Sequence, residues 1–177
     1  METSQPPSSE ELADAIQRLA IELANSHPDP SNLAVIGIAR GGVELGRRLA
    51  KDVGELLNHE LPFGSVDISF HRDDLSSNPV PNIMSFANLP FDVEGKTIIL
   101  VDDVIFSGRS IRAALNEIFD QGRPAKVSLA VLVDRGGRSL PINPDFTGLV
   151  IEANADQHVE VVVNDDPDTP DTISIAT

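Results

Sequence analysis

A chain of 177 residues, 41% of them hydrophobic, is long enough for one domain with its own core. It contains no cysteine, which excludes disulfides and thiolate metal sites, and no apolar run reaches membrane-spanning length. The net charge of -15 disfavours broad contact with nucleic acid, although backbone amides and a few arginines can still bind small anions on an acidic protein.

The first residues are polar, acidic and proline-containing, without the basic start and apolar centre of a secretory signal, so a cytoplasmic location is expected. Residues 1–8 read as a disordered leader and residues 9–177 as a single domain. Ser8 and Glu11 have the spacing of a capping box. Behind them Leu12, Ile16, Leu19, Ala20 and Leu23 recur with helical period, until the His-Pro-Asp-Pro run at 27–30 stops the helix. Residues 33–38 form a short apolar strand, and Arg40-Gly41-Gly42 follows it. A second helix then presents Val43, Gly46, Leu49, Ala50, Val53, Leu56 and Leu57 on one face. Residues 66–70 alternate as a strand does. Residues 71–94 show little periodicity and read as a long functional or disordered loop with room for a short hairpin.

Residues 97–101 are apolar throughout, as in a strand covered on both faces. A helix over about 110–121 carries the stripe Ile111, Ala114, Leu115, Ile118 and Phe119; Gly122 caps it and Pro124 prevents its continuation. Residues 127–133 are a further buried strand. Weaker strands at 159–163 and 173–175 flank an acidic loop, 164–171. Strands alternating with helices imply an α/β fold with a mostly parallel sheet flanked by helices on both faces. Ligands of such sheets bind beyond the carboxyl ends of the strands. Three segments fall there: Arg40-Gly41-Gly42, Asp102 to Ser110, and Asp134 to Arg138.

Asp102 to Ser110 carries the most chemistry. Gly108 lets the backbone turn and approach a ligand, and the amides opening the next helix favour an anion. Ser107 and Ser110 add hydroxyl donors, so a phosphate fits there. Asp102 and Asp103 repel phosphate, but they can accept hydrogen bonds from ribose hydroxyls and hold Mg²⁺ directly or through water. An ordinary strand-to-helix loop with an acidic cap is the plain alternative, and it does not account for Ser-Gly-Arg-Ser. Arg40 with Gly41 and Gly42 is a second anion site, offering a guanidinium and amides together. Arg72 opens the long loop, either on a solvated charged edge or in a lid that meets a pyrophosphate. Asp134, Arg135 and Gly136 end a strand as a plain glycine turn or as the frame of a base pocket. The four histidines show no metal spacing and are expected on the surface. Neither a dinucleotide-binding glycine fingerprint nor a phosphate loop ending in Gly-Lys-Ser/Thr is present.

Taken together, these residues resemble the type I phosphoribosyltransferases, since residues 98–110 are similar to their phosphoribosyl pyrophosphate (PRPP) motif. Arg72-Asp73-Asp74-Leu75, Gly122-Arg123-Pro124, residues 129–136, Arg138, Leu140-Pro141-Ile142 and Gly148 are similar, in the same order, to the PyrR family. Those proteins are pyrimidine operon attenuators that also have uracil phosphoribosyltransferase activity. The resemblance spans Leu12 to Gly148. It implies the type I phosphoribosyltransferase fold with a small hood and a flexible loop, Mg²⁺ as cofactor, and a homo-oligomer, dimer or tetramer. It also implies conversion of uracil and PRPP into UMP and pyrophosphate, a pyrimidine salvage reaction.

By that resemblance Ser107, Gly108, Arg109 and Ser110, within the segment that includes Val104 and Phe106, hold the 5-phosphate. Asp102 and Asp103 hold the ribose hydroxyls and the metal, and Asp103 assists proton removal from the base. Arg40 and Gly41 belong to the pyrophosphate loop, and Arg72 lies at the base of the flexible loop.

The sequence departs from the family in four places. Ile38-Ala39-Arg40-Gly41 stands where Lys-Thr-Arg-Gly is usual, and Gly137 replaces the histidine of Arg-Gly-His-Arg. Residues 17–21 and 149–153 also lose basic or polar groups. With the charge of -15, these losses weigh against RNA binding. The alternatives are an RNA-binding attenuator that senses pyrimidine nucleotides with little catalysis, and a phosphoribosyltransferase for another base.

Overall fold

The computed structural model describes residues 6–68, 87–154, 156–166 and 168–176. Helix α1 (Ser9–Ser26) begins with the capping box expected of it. The Glu11 amide donates to Ser8 Oγ at 3.2 Å, and the Ser8 amide donates to Glu11 Oε2 at 2.8 Å. Its apolar stripe, with Leu12, Ile16, Leu19 and Leu23, is buried throughout. His27 caps the other end and is also buried, contrary to the surface position expected of it. Its Nδ1 lies 2.9 Å from the Leu23 carbonyl, and its ring packs on Phe146.

The chain continues as β1 (Leu33–Ala39), α2 (Gly41–Leu57), β2 (Phe63–Asp67), β3 (Ala87–Asn88), β4 (Thr97–Ile105), α3 (Arg109–Gln121), β5 (Lys126–Asp134), β6 (Phe146–Val150), β7 (His158–Val162) and β8 (Thr172–Ala176). Six strands form one sheet in the order β3-β2-β1-β4-β5-β6, parallel except for the β2–β3 pair. Alternate residues of the central strands supply two cores. Val35, Ile99, Val101, Ala130 and Leu132 face α1 and α2, whereas Ile36, Ile98, Leu100 and Val131 share the other face with α3. Each fully buried Leu or Ile contributes roughly 1.5–3 kcal/mol through removal from water, so this double burial holds the middle strands as a rigid base for their loops.

Several elements differ from the sequence reading. The second strand occupies 63–67, beginning three residues before the expected 66–70 with Phe63 paired to Val35; residues 69 and 70 of that expectation lie outside the described residues. Strand β6 is an edge strand with four half-buried residues and the exposed Val150, so it lacks the continuous apolar run that marks its neighbours. Leu56 and Phe119, placed on buried helix faces by their period, are exposed at 52% and 41%. The inward positions at these helix ends are taken instead by their neighbours Leu57 and Ile118.

Strands β7 and β8 pair antiparallel as a small separate hood, with Val159, Val161 and Ile173 turned into the core beside α1 and α2. Arg48 of α2 fixes the hood with two bonds to the buried Asp171 carboxylate, at 2.5 and 3.1 Å, and one to the Asn164 carbonyl at 2.7 Å. No helix among the described residues is long and apolar enough to cross a membrane.

Candidate active site

Helix α2 packs unusually close to the sheet. A Cβ on Gly42 would come within 2.5 Å of the Val101 carbonyl, and one on Gly37 within 2.5 Å of the Gly42 carbonyl. Glycine at both positions therefore brings the start of α2 directly over β1 and β4. The Ala39–Arg40 peptide is cis, and Arg40 is exposed at the N-cap. Gly41 then abuts Asp103: a side chain there would overlap the Asp103 carboxylate. Two segments far apart in sequence thus meet at one point.

The aspartates lie within β4 rather than directly after it, since the strand continues to Ile105. This corrects the expected strand end at Val101. The ladder to β5 extends to the Ile105–Asp134 pair, so pairing with β5 carries the strand past its apolar run. As a result Asp102 is only 6% exposed. Burial, and then the neighbouring Asp103 charge, push its carboxyl well above the usual carboxylate range. Burial also raises Asp103, against the Val104 amide, which donates to Asp103 Oδ1 at 2.8 Å. No lysine or arginine pairs with either carboxylate among the described residues. His158, at the start of the hood, is the group whose charge favours ionisation of Asp103. No local pattern announces that approach, because hood and sheet meet only through the fold.

Beyond Ile105 the chain turns through Phe106, Ser107 and Gly108 into α3. Gly108 has φ +88 and is the N-cap, a left-handed position suited to glycine. The Arg109 amide donates to Ser107 Oγ at 3.3 Å, and the Ser107 carbonyl accepts from the Ser139 and Leu140 amides. The N-cap residues of α3 and α2, Gly108 and Arg40, make no side-chain cap bond, and at α3 the Arg109 amide is met by Ser107 Oγ. Both helix starts therefore keep amides and partial positive charge for an anion. They begin where the adjacent strands β1 and β4 end, on either side of the aspartate pair.

The third expected segment joins through the β4–β5 ladder: the Arg135 amide donates to the Ile105 carbonyl at 3.2 Å. Asp134 accepts from the Gly136 amide at 2.8 Å and from Arg138 Nη2 at 2.6 Å. Burial opposes its ionisation, but the Arg138 and Gly136 hydrogen bonds outweigh burial and hold its pKa below the usual value. Arg138 also donates to the carbonyls of Phe106 and Ile142, at 3.0 and 2.8 Å. It ties the Asp134 turn to the phosphate segment, a role that its spacing of four residues from Asp134 could have suggested. Arg135 is buried against the Phe106 ring.

The structure thus brings together Arg40, Gly41, Asp102 to Ser110, and Asp134 to Gly136. Arg72 lies outside the described residues.

A phosphoribosyl transferase domain model matches residues 8–166. The Bifunctional protein PyrR of a Picosynechococcus species is 45% identical over 158 residues, which are 89% of this chain and 89% of that protein. The Bifunctional protein PyrR 1 of Lactiplantibacillus plantarum is 45% identical over 163 residues, 91% of this chain and 90% of that one. Among solved structures, a hypoxanthine phosphoribosyltransferase from Trypanosoma cruzi in a ternary substrates complex superposes with a TM-score of 0.68. It is 20% identical, covering 90% of this chain and 87% of the other, and shares the fold. The chain belongs to the phosphoribosyl transferase family and, within it, to the PyrR proteins.

Proposed function

We propose that the site transfers the phosphoribosyl group of PRPP to uracil, giving UMP and pyrophosphate. The observation that carries this reading is the aspartate pair, Asp102 buried and Asp103 half-buried, with no lysine or arginine partner among the described residues and with two helix starts beside it whose N-cap residues make no side-chain cap bond. One helix start suits the 5-phosphate, through Ser107 to Ser110. The other, with Arg40 and Gly41, suits the pyrophosphate, and Arg72 is proposed to join it. Asp102 and Asp103 lie between, where the ribose hydroxyls belong. Kinship with PyrR supports uracil as the base, with Asp134, Arg135 and Gly136 framing its pocket.

The carboxylate pair fits Mg²⁺. Among the described residues no set of three or more acidic, histidine or cysteine side chains could enclose a metal. Magnesium commonly binds one or two carboxylates together with substrate phosphates and water, and Asp102 and Asp103 would supply that share. When bound, the ion neutralises charge on the departing pyrophosphate. The amides of α2 and Arg40 stabilise the same leaving group from the protein side. As the bond to the leaving group breaks, positive charge grows on the sugar, and the carboxylates beside it favour that charge. Asp103 would also take the proton of the base.

A base-panel assay with PRPP and Mg²⁺ tests the reading. Uracil is expected to turn over; turnover of a purine instead would overturn the choice of base, and failure of every base would overturn the transferase. A second reading, attenuation of pyrimidine operon RNA, is supported by the PyrR kinship, and the charge of -15 weighs against it. Tight, salt-sensitive, UMP-dependent binding of a pyrimidine leader RNA would establish it. A cytoplasmic homo-oligomer agrees with both readings.

A further inference from the structure

Phe106 sits between the ribose-binding and phosphate-binding ends of the PRPP segment, and it remains 39% exposed. The ring is nevertheless held in place. The Arg135 guanidinium lies over it, with Cζ 4.2 Å from the ring centroid. Gly137 touches it from another side, since a Cβ there would overlap the ring, and its φ of +74 independently favours glycine.

Arg135 is itself 7% exposed, and this burial is poorly compensated. Its Nη2 donates to the Asn154 carbonyl at 2.8 Å, its Nε is buried without a partner, and no carboxylate pairs with it among the described residues. A buried guanidinium without a counter-ion is costly, and the face of an aromatic ring is the main group offered to it here. A phenyl ring kept rigid yet open to water is a second cost. Both costs are offset if a planar ligand covers the remaining surface of the ring.

We propose that Phe106, seated by Arg135 and Gly137, is the surface against which the nucleobase of the bound nucleotide lies. The inference rests on the phosphoribosyltransferase reading and deepens it. The segment that grips sugar and phosphate through its backbone also positions the base through one side chain. Phe106 is then a positioning and specificity residue for flat heterocycles.

Calorimetric titration with UMP, ribose 5-phosphate and Mg·PRPP separates the possibilities. Phe106→Ala should weaken UMP by about 10- to 100-fold, the range of base–aromatic stacking, and leave ribose 5-phosphate and Mg·PRPP unchanged. Phe106→Tyr should restore UMP binding, and Arg135→Met, which unseats the ring, should give a smaller loss confined to UMP. Unchanged UMP affinity in Phe106→Ala, with Mg·PRPP still bound, would overturn the base surface alone. So would an equal loss of UMP and ribose 5-phosphate. Failure of the unaltered protein to bind Mg·PRPP would overturn the transferase reading and the inference with it.

Discussion

The start of α1 and the starts of α2 and α3 solve the same physical problem in opposite ways. Every helix opens with amides that lack an intrahelical partner. At α1 the chain satisfies them itself, through the reciprocal bonds of Ser8 and Glu11. At α2 and α3 the N-caps are Arg40 and Gly108, and neither makes a side-chain cap bond. The difference follows position. The start of α1 serves only the helix, whereas the other two lie beside the aspartate pair at the carboxyl ends of neighbouring strands. An uncapped N-terminus is a modest instability that a bound anion can remove, so two of them together mark where anions belong.

The largest expected effect breaks the carboxylate side of this arrangement. Asp102→Asn with Asp103→Asn should lower kcat/KM for PRPP by about 1000-fold, since charge-assisted bonds contribute roughly 1.5–3 kcal/mol each. The same variant should melt higher, because it removes a buried charge that the fold does not neutralise. The pH dependence has a definite sign. A carboxyl with its folded pKa raised holds its proton more tightly in the folded state. Stability therefore falls as pH rises from about 4 through the raised value. Thermal melts across that range should show the decline in the unaltered protein and its loss in the variant. Asp134 has the opposite sign, and its contribution should disappear as pH falls below about 4.

Gly41→Ala comes next. Its Cβ would displace the Asp103 carboxylate, and a shift of about 1 Å in a reacting constellation costs about 100-fold. Circular dichroism should remain unchanged, since Gly41 is the first residue of α2. Arg138→Met should have a smaller effect, lowering turnover by about tenfold and the melting temperature by several degrees. It removes a part-buried ion pair together with the carbonyl bonds that join the two loops. The smallest effect sharpens the contrast. Ser8→Ala should cost about 1 kcal/mol of stability, read as about 2–4 °C in melting temperature, and leave steady-state kinetics unchanged.

The sequence made the site more legible than the fold around it. The pair Asp102-Asp103 followed by Ser-Gly-Arg-Ser named its own chemistry, because phosphate and ribose demand opposite groups and both kinds were adjacent. The central strands were equally plain, since burial on both faces leaves an unbroken apolar run. The meeting of Gly41 with Asp103 was not legible. It depends on β1 pairing with β4 and on glycines that let α2 approach, which are contacts across 62 residues of sequence. Strand β6 was missed for a related reason: an edge strand is half exposed and loses the pattern that betrays a central one. His27 was misplaced because composition makes histidine a surface residue by default, and only the packing of Phe146 shows otherwise. The seating of Phe106 on Arg135 depends on the β4–β5 ladder, and no local pattern in either segment announces it.

In the proposed reading the starts of α2 and α3, with the aspartate pair beside them, receive PRPP. Backbone amide resonances measured during titration with Mg·PRPP test it most directly. The amides of residues 41–43 and 107–111 should shift together and saturate at one affinity, while those of residues 9–12 at the capped start of α1 stay in place. Saturable shifts elsewhere, with both uncapped helix starts unmoved, would contradict it.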